Sequence, residues 1–173
     1  MNRVHILEAL GITLWQARAS HAYYQAWPLR LDWQKPLYGA ACLVILPALA
    51  ADPESERVLQ GMLSVLKFEP QLAVLKLDFD TRDVLKQPAN IEALKQQLAS
   101  FQPQRLLCMG QDLAQALLNT HKELDALRQQ EWSLGYGLLC HFTYDPPTLV
   151  RCVEHKPKAY RDLCLVKSLI STI

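Results

Sequence analysis

Hydrophobic side chains recur along residues 40–170 in two alternating patterns. Short continuous apolar runs predict strands that are buried on both faces, as in a parallel sheet. Longer segments with apolar residues three or four positions apart predict helices. The four predicted strands are Ala41–Leu46, Leu72–Leu77, Arg105–Met109 and Leu138–Thr143. This alternation predicts an α/β domain, a three-layer sandwich with a mostly parallel four-stranded sheet between two layers of helices.

The predicted helices carry start signals. Asp52 precedes Pro53, which supplies an N-cap and a proline at the first helical position. Pro88 lies near the start of the second helix, and Gly110 leads into a third helix that Asp112 is predicted to cap. The polar stretch 119–130 is compatible with a further short helix. The final helix is predicted from about Lys158, with apolar positions at Tyr160, Leu163, Leu165, Val166, Leu169 and Ile170.

The first 38 residues differ in composition from the rest of the chain. They hold six of the fourteen aromatic side chains but only two acidic residues, Glu8 and Asp32. The regular alternation of strand and helix begins only after them. We therefore divide the chain into an N-terminal head with an aromatic linker, residues 1–38, and a single α/β domain, residues 39–173.

Charge and hydropathy exclude several classes of protein. The formal net charge is +1 over 173 residues, which argues against binding to nucleic acid by bulk electrostatics. No apolar run approaches the roughly 18 residues that span a bilayer. Glu8 interrupts the apolar core that an export signal would need. A cytoplasmic protein without a membrane anchor is expected.

The candidate metal and cofactor sites are weak. The five cysteines show no CxxC spacing, and small buried hydrophobes rather than zinc ligands are expected. The acidic stretch 78–83 is compatible with a magnesium site, but carboxylates near helix starts more often act as caps. Residues 47–52, after the first strand, lack the glycines of a phosphate-binding loop. No cofactor and no metal are predicted.

The segment after the last strand resembles the uracil-DNA glycosylase superfamily. The matching positions are Thr143, Pro146, Leu149, Lys158, Tyr160, Asp162 and Leu163. Asp145 stands where the catalytic histidine of that superfamily would be, and the water-activating motif after the first strand is missing. A glycosylase must extrude a base and grip its edge. The resemblance therefore implies a glycosylase-like fold without catalytic residues, and no enzymatic activity is expected.

The head carries a second resemblance. Residues 10–18, Leu-Gly-Ile-Thr-x-Trp-x-x-Arg, are similar to the N-terminal peptide of the psi-subunit family of bacterial DNA polymerase III. The resemblance implies that this peptide binds the clamp loader, while the body binds the chi subunit and thereby contacts single-strand-binding protein indirectly. The partner-binding residues it implies are Leu10, Ile12, Thr13, Trp15 and Arg18.

Alternatives remain at three places. The head either docks in a groove of a partner or packs on its own sheet. The aromatic side chains of the linker either form an additional contact surface or pack beside the sheet; they are Tyr23, Tyr24, Trp27 and Trp33. The competing function is a DNA-binding or residual glycosylase-like protein. It would use the basic C-terminal residues Arg151, Lys156, Lys158, Arg161 and Lys167.

Overall fold

The computed structural model describes residues 30–31, 39–47, 49, 52–66, 72–78 and 87–171. The strands are β1 (Arg30–Leu31), β2 (Cys42–Pro47), β3 (Leu72–Asp78), β4 (Arg105–Met109), β5 (Trp132–Ser133) and β6 (Leu139–Thr143). The helices are α1 (Pro53–Leu66), α2 (Pro88–Ser100), α3 (Gln111–Leu118), α4 (Leu124–Leu127), α5 (Pro146–Arg151) and α6 (Lys156–Ser171), with a 3₁₀ turn at Val153–His155. The predicted partner-binding residues and the predicted boundary at residue 38 lie outside the described residues.

The sheet formed by β2 to β6 has the order β3-β2-β4-β6-β5. β2 pairs in parallel with β3 and β4, and β4 pairs in parallel with β6. Because β2 has a neighbour on each side and helices above and below, five of its six residues are buried. This confirms the prediction of an α/β domain with a mostly parallel sheet.

The predicted count of four strands is wrong. The fifth strand, β5, pairs antiparallel with β6, with Trp132 opposite Cys140 and Ser133 opposite Leu139. A two-residue strand is too short to show the alternation by which strands are recognised in a sequence. It is formed because the turn at residues 134–138 brings the chain back beside β6, with Leu134 N donating to Leu138 O at 3.0 Å.

The helices cover both faces of the sheet. In the sheet, β3 lies on one side of β2 and β4 lies on the other. The connections between parallel strands are right-handed crossovers. The connection from β2 to β3 and the connection from β3 to β4 run in opposite directions along the sheet. Their helices, α1 and α2, therefore lie on opposite faces. In agreement, α1 packs against α5 and α6, whereas α3 packs against α2 and α4.

The C-terminal region differs from its prediction in two respects. Pro146 was expected only to end the last strand, but it also begins α5, where proline suits the first turn. In α6 the side chains of Tyr160 and Leu165, predicted to be apolar core positions, are 58% and 43% exposed. The buried face of this helix carries Ala159, Leu163, Val166 and Ile170 instead.

No helix in the described part of the chain combines the length and apolar character needed to cross a bilayer.

Candidate functional site at the carboxyl end of the sheet

Ligands of open α/β sheets bind outside the carboxyl ends of the strands, so that edge is the first candidate for a functional site. The ends of β4 and β6 are joined there by a hydrogen bond from Gly110 N to Thr143 O of 2.9 Å. Gly110 has φ +107°, and a Cβ added to it would lie 3.4 Å from Oδ2 of Asp145. The backbone of one strand end is thus in close contact with the acidic side chain that follows the other.

Asp145 and Asp52, the two acids that follow β6 and β2, both cap helices. Asp145 accepts a hydrogen bond from Thr148 N at 3.0 Å and begins α5. Asp52 accepts from Glu54 N and Ser55 N at 3.2 and 3.1 Å and from the Ser55 hydroxyl. The Ser55 hydrogen bond lowers the pKa of Asp52. The predicted cap at Asp52 is confirmed.

The predicted cap at Asp112 is wrong. The N-cap position of α3 is Gly110, and Asp112 lies within the first turn of that helix. Gly110 O already accepts from Ala114 N at 3.1 Å, so the helix starts directly after the glycine. An acidic residue in the first turn still favours the helix through its dipole.

A buried polar cluster lies behind this edge, and we call its members Thr143, Asp162 and Arg128 the buried triad. The Thr143 hydroxyl donates to Asp162 Oδ2 at 2.9 Å, and Arg128 Nη1 donates to Asp162 Oδ1 at 2.6 Å. Thr143 is fully buried, and the side chains of Asp162 and Arg128 are 8% and 15% exposed. The triad ties β6, α6 and the end of α4 together.

An outer layer of the cluster centres on Asp125. Its Oδ1 accepts from Tyr144 OH at 2.6 Å and from Arg128 Nε at 2.8 Å, and its Oδ2 accepts from Lys158 Nζ at 2.7 Å. Arg128 also lies 5.8 Å from the centroid of the Tyr144 ring. Arg128 therefore bridges one buried and one partly exposed carboxylate.

The pKa values in this cluster follow burial and pairing. Burial raises the pKa of Asp162 to about 6, although the hydrogen bond from Thr143 and the charge of Arg128 oppose the shift. The hydrogen bonds from Lys158, Tyr144 and Arg128 hold the pKa of Asp125 far below its usual range. Burial, with the Asp125 hydrogen bond, raises the pKa of Tyr144 to about 12.

Replacing Asp162 with asparagine tests the raised pKa. A carboxyl whose pKa is higher in the folded than in the unfolded chain stabilises the fold below about pH 4, and this contribution is lost as pH rises through about 6. We expect the free energy of unfolding of the wild type, relative to that of Asp162→Asn, to fall between pH 4 and pH 6 and to be level above pH 7. Urea denaturation at stepped pH measures the difference. A difference that rises over this interval would contradict the assignment.

A second ion-pair group lies near the other end of the sheet. Glu131 Oε2 is 3.0 Å from Arg105 Nη1 and 3.1 Å from His141 Nε2. Burial lowers the pKa of His141 in spite of its hydrogen bond with Glu131. This group joins β4 and β6 to Glu131, the residue that precedes β5, which is a structural role.

The prediction that the cysteines are buried hydrophobes is confirmed for three of the five. Cys42, Cys108 and Cys140 are buried, and all five are free thiols. Burial raises the pKa of Cys42 to about 12, which makes this thiol unreactive. Cys152 and Cys164 are only partly buried.

The structure brings together part of the segment that resembles the glycosylases. Thr143 and Asp162 are hydrogen-bonded, and Lys158 reaches the same cluster through Asp125. Tyr160 points away and is exposed. Sequence reasoning missed Asp125 and Arg128, and their i, i+3 spacing was the available signal. Residues 79–86, which cover most of the acidic stretch considered for magnesium, lie outside the described residues.

The carboxylates around this edge are therefore held in caps and ion pairs, an arrangement that stabilises helix positions. In comparisons with known proteins, no family model matches the chain and no curated protein is significantly similar to it.

Proposed function

We propose that this protein is a non-catalytic accessory subunit of the bacterial replicative clamp loader, with a catalytically inactive, uracil-DNA glycosylase-like body. The observation that carries the proposal is the use of Asp52 and Asp145 as helix caps. These are the acids nearest to the two positions where a glycosylase would need its reactive groups. The Ser55 hydrogen bond lowers the pKa of Asp52, which makes this carboxylate a poor proton acceptor for water, and the Asp145 carboxylate is engaged by Thr148 N at the start of α5.

The N-terminal head carries the motif that supports binding to the clamp loader. The motif of Leu10, Ile12, Thr13, Trp15 and Arg18 is that of a peptide which inserts one aromatic anchor in a groove. The body would hold the chi subunit, and through it single-strand-binding protein. Acting as a tether, the chain would raise the effective concentration of one partner near the other without any chemical step.

The charge distribution supports adhesion to protein over binding to DNA. The competing function depends on five basic residues of the C-terminal region, and one of these, Lys158, forms an ion pair with Asp125 at 2.7 Å. Contacts with duplex phosphates would give a salt dependence with a log–log slope of about −0.9 per contact. We expect only weak binding to DNA, or none.

Substitution of Trp15 tests the docking peptide. We expect Trp15→Ala to weaken binding of the full chain to purified clamp-loader subunits of its own organism by at least about tenfold, since loss of a buried aromatic anchor costs about 2 kcal/mol or more. Calorimetric titration measures the affinity. The matched control is Trp27→Ala, in the linker, which should leave the affinity within about twofold of the wild type if the linker aromatics pack beside the sheet and should lower it if they form an additional contact surface.

Binding of chi should be unchanged in Trp15→Ala, because the proposal assigns chi to the body. Loader affinity of Trp15→Ala equal to that of the wild type would refute the docking peptide. Release of uracil from uracil-containing DNA, lost in Asp52→Asn or Asp145→Asn, would favour the competing enzymatic function instead.

A further inference from the structure

A group of three potential metal ligands lies between α5 and α6. Cys152, Glu154 and His155 each offer one ligand atom, and these atoms lie within 4.8 Å of one another. Two of the residues, Cys152 and His155, are partly buried, and Glu154 is exposed. The proposed tethering function does not use any of them.

Backbone hydrogen bonds and a ring stacking contact fix the turn that carries these residues. Cys152 N donates to Thr148 O at 2.8 Å, and His155 N donates to Cys152 O at 3.1 Å. The His155 ring stacks on the buried Tyr144, with 4.4 Å between the centroids and an interplanar angle of 6°. Since Tyr144 is itself hydrogen-bonded to Asp125, the stacking fixes the plane of the imidazole.

One nitrogen of this imidazole lacks a partner. Nδ1 of His155 is buried and makes no hydrogen bond with any described residue. A buried polar atom without a partner costs about 1–3 kcal/mol, so such atoms are uncommon and call for an explanation. Beside a thiol and a carboxylate, coordination of a metal ion would satisfy an imidazole nitrogen that hydrogen bonding leaves unpaired.

The ligand chemistry selects the class of metal. Thiolate, imidazole and carboxylate together suit zinc, whereas magnesium and calcium prefer oxygen ligands alone. We propose that Cys152, Glu154 and His155 form a three-ligand Zn²⁺ site, with the fourth position open to solvent at the exposed turn. Binding involves coordination only: the Cys152 thiol gives its proton to solvent, and no other bond is made or broken. The bound ion would join the end of α5 to the start of α6.

Cobalt titration of the full chain, kept reduced, tests the site. Co²⁺ replaces Zn²⁺ in tetrahedral sites and gives a thiolate-to-cobalt absorption band. We expect this band to saturate at one equivalent of Co²⁺ and to disappear when one equivalent of Zn²⁺ is added. Cys152→Ser should abolish the band. Cys164→Ser removes the other partly buried thiol and should leave the band intact.

A second pair of variants keeps the test independent of the thiol. His155→Gln should weaken Zn²⁺ binding by about tenfold or more, because even the loss of an outer-shell partner of a metal ligand costs about 10–100-fold. His121→Gln, at an exposed histidine, should leave the affinity unchanged. Zn²⁺ should also protect Cys152, but not Cys164, from alkylation measured by mass spectrometry.

A cobalt band that persists in Cys152→Ser, or that is lost equally in Cys164→Ser, would overturn the site. Equal Zn²⁺ affinity of the two histidine variants would do the same. None of these outcomes depends on the clamp-loader proposal, because no partner protein is present in the experiment.

Discussion

Replacing Arg128 with methionine is expected to lower the free energy of unfolding by about 3 kcal/mol at pH 8, since removing one partner of a buried ion pair leaves the other charge uncompensated. Asp162 would then keep only the Thr143 hydroxyl as a partner in the buried triad. Urea denaturation followed by circular dichroism measures the change. The loss should be smaller at pH 5, where the Asp162 carboxyl, with its pKa of about 6, is largely neutral in the folded protein.

Two variants isolate the cause of this loss. In an Asp162→Asn background, Arg128→Met should cost much less, because no buried charge remains to be compensated. Lys158→Met removes an ion pair with Asp125 in which the lysine side chain is 36% exposed and the aspartate side chain 48% exposed. This substitution should lower the free energy of unfolding by about 0.5 kcal/mol or less. If Lys158→Met and Arg128→Met were equally destabilising, burial of the triad would not be the source of the effect.

Gly110→Ala is expected to lower the free energy of unfolding by about 2 kcal/mol. Gly110 has φ +107° and ψ +144°, a conformation that L side chains rarely adopt and that costs about 1–3 kcal/mol. The new methyl group would also lie 3.4 Å from Oδ2 of Asp145, the cap of α5. Because Gly110 N is bonded to Thr143 O, the backbone cannot relax without separating β4 from β6.

Gly61→Ala is the matched control. Gly61 lies inside α1, an added Cβ would have no atom within 4 Å apart from its chain neighbours and the nearby backbone of the helix itself, and its φ is not in the left-handed region. Alanine is a better helix former than glycine, so this substitution should raise the free energy of unfolding by about 0.5–1 kcal/mol. Changes of opposite sign in the free energy of unfolding for Gly110→Ala and Gly61→Ala, measured by thermal or urea denaturation, would support the strain assigned to Gly110. A neutral Gly110→Ala would show that the strand end is not constrained.

The parts of the fold that sequence predicted well are those whose signals are local. β2 was recognisable from a run of apolar residues because both of its faces are covered, and α1 was recognisable from Asp52 and Pro53 at its start. The same reasoning predicted too many buried positions in α6. Tyr160 and Leu165 are apolar, but they lie on the side of the helix that faces away from α1 and the sheet.

The buried triad shows why the site was harder to predict. Its members are separated by 15 and 19 positions along the chain, and the local signal at Arg128, its i, i+3 spacing from Asp125, does not point to Asp162 or Thr143. The acid at Asp162 was noticed only through a resemblance, and its hydrogen bonds with Thr143 and Arg128 exist because α4 and α6 lie beside β6.

The amino-acid sequence by itself determined the alternation of strand and helix, the parallel character of the sheet and the helix cap at Asp52, because each is indicated by apolar runs, apolar spacings or capping residues that are local in the chain. The tertiary structure alone decided that Arg128, Asp162 and Thr143 share a buried cluster, that β5 extends the sheet, and that Gly110 must pass close to Asp145. These contacts join segments distant in sequence, and their energies arise from burial and geometry that appear only once the chain has folded.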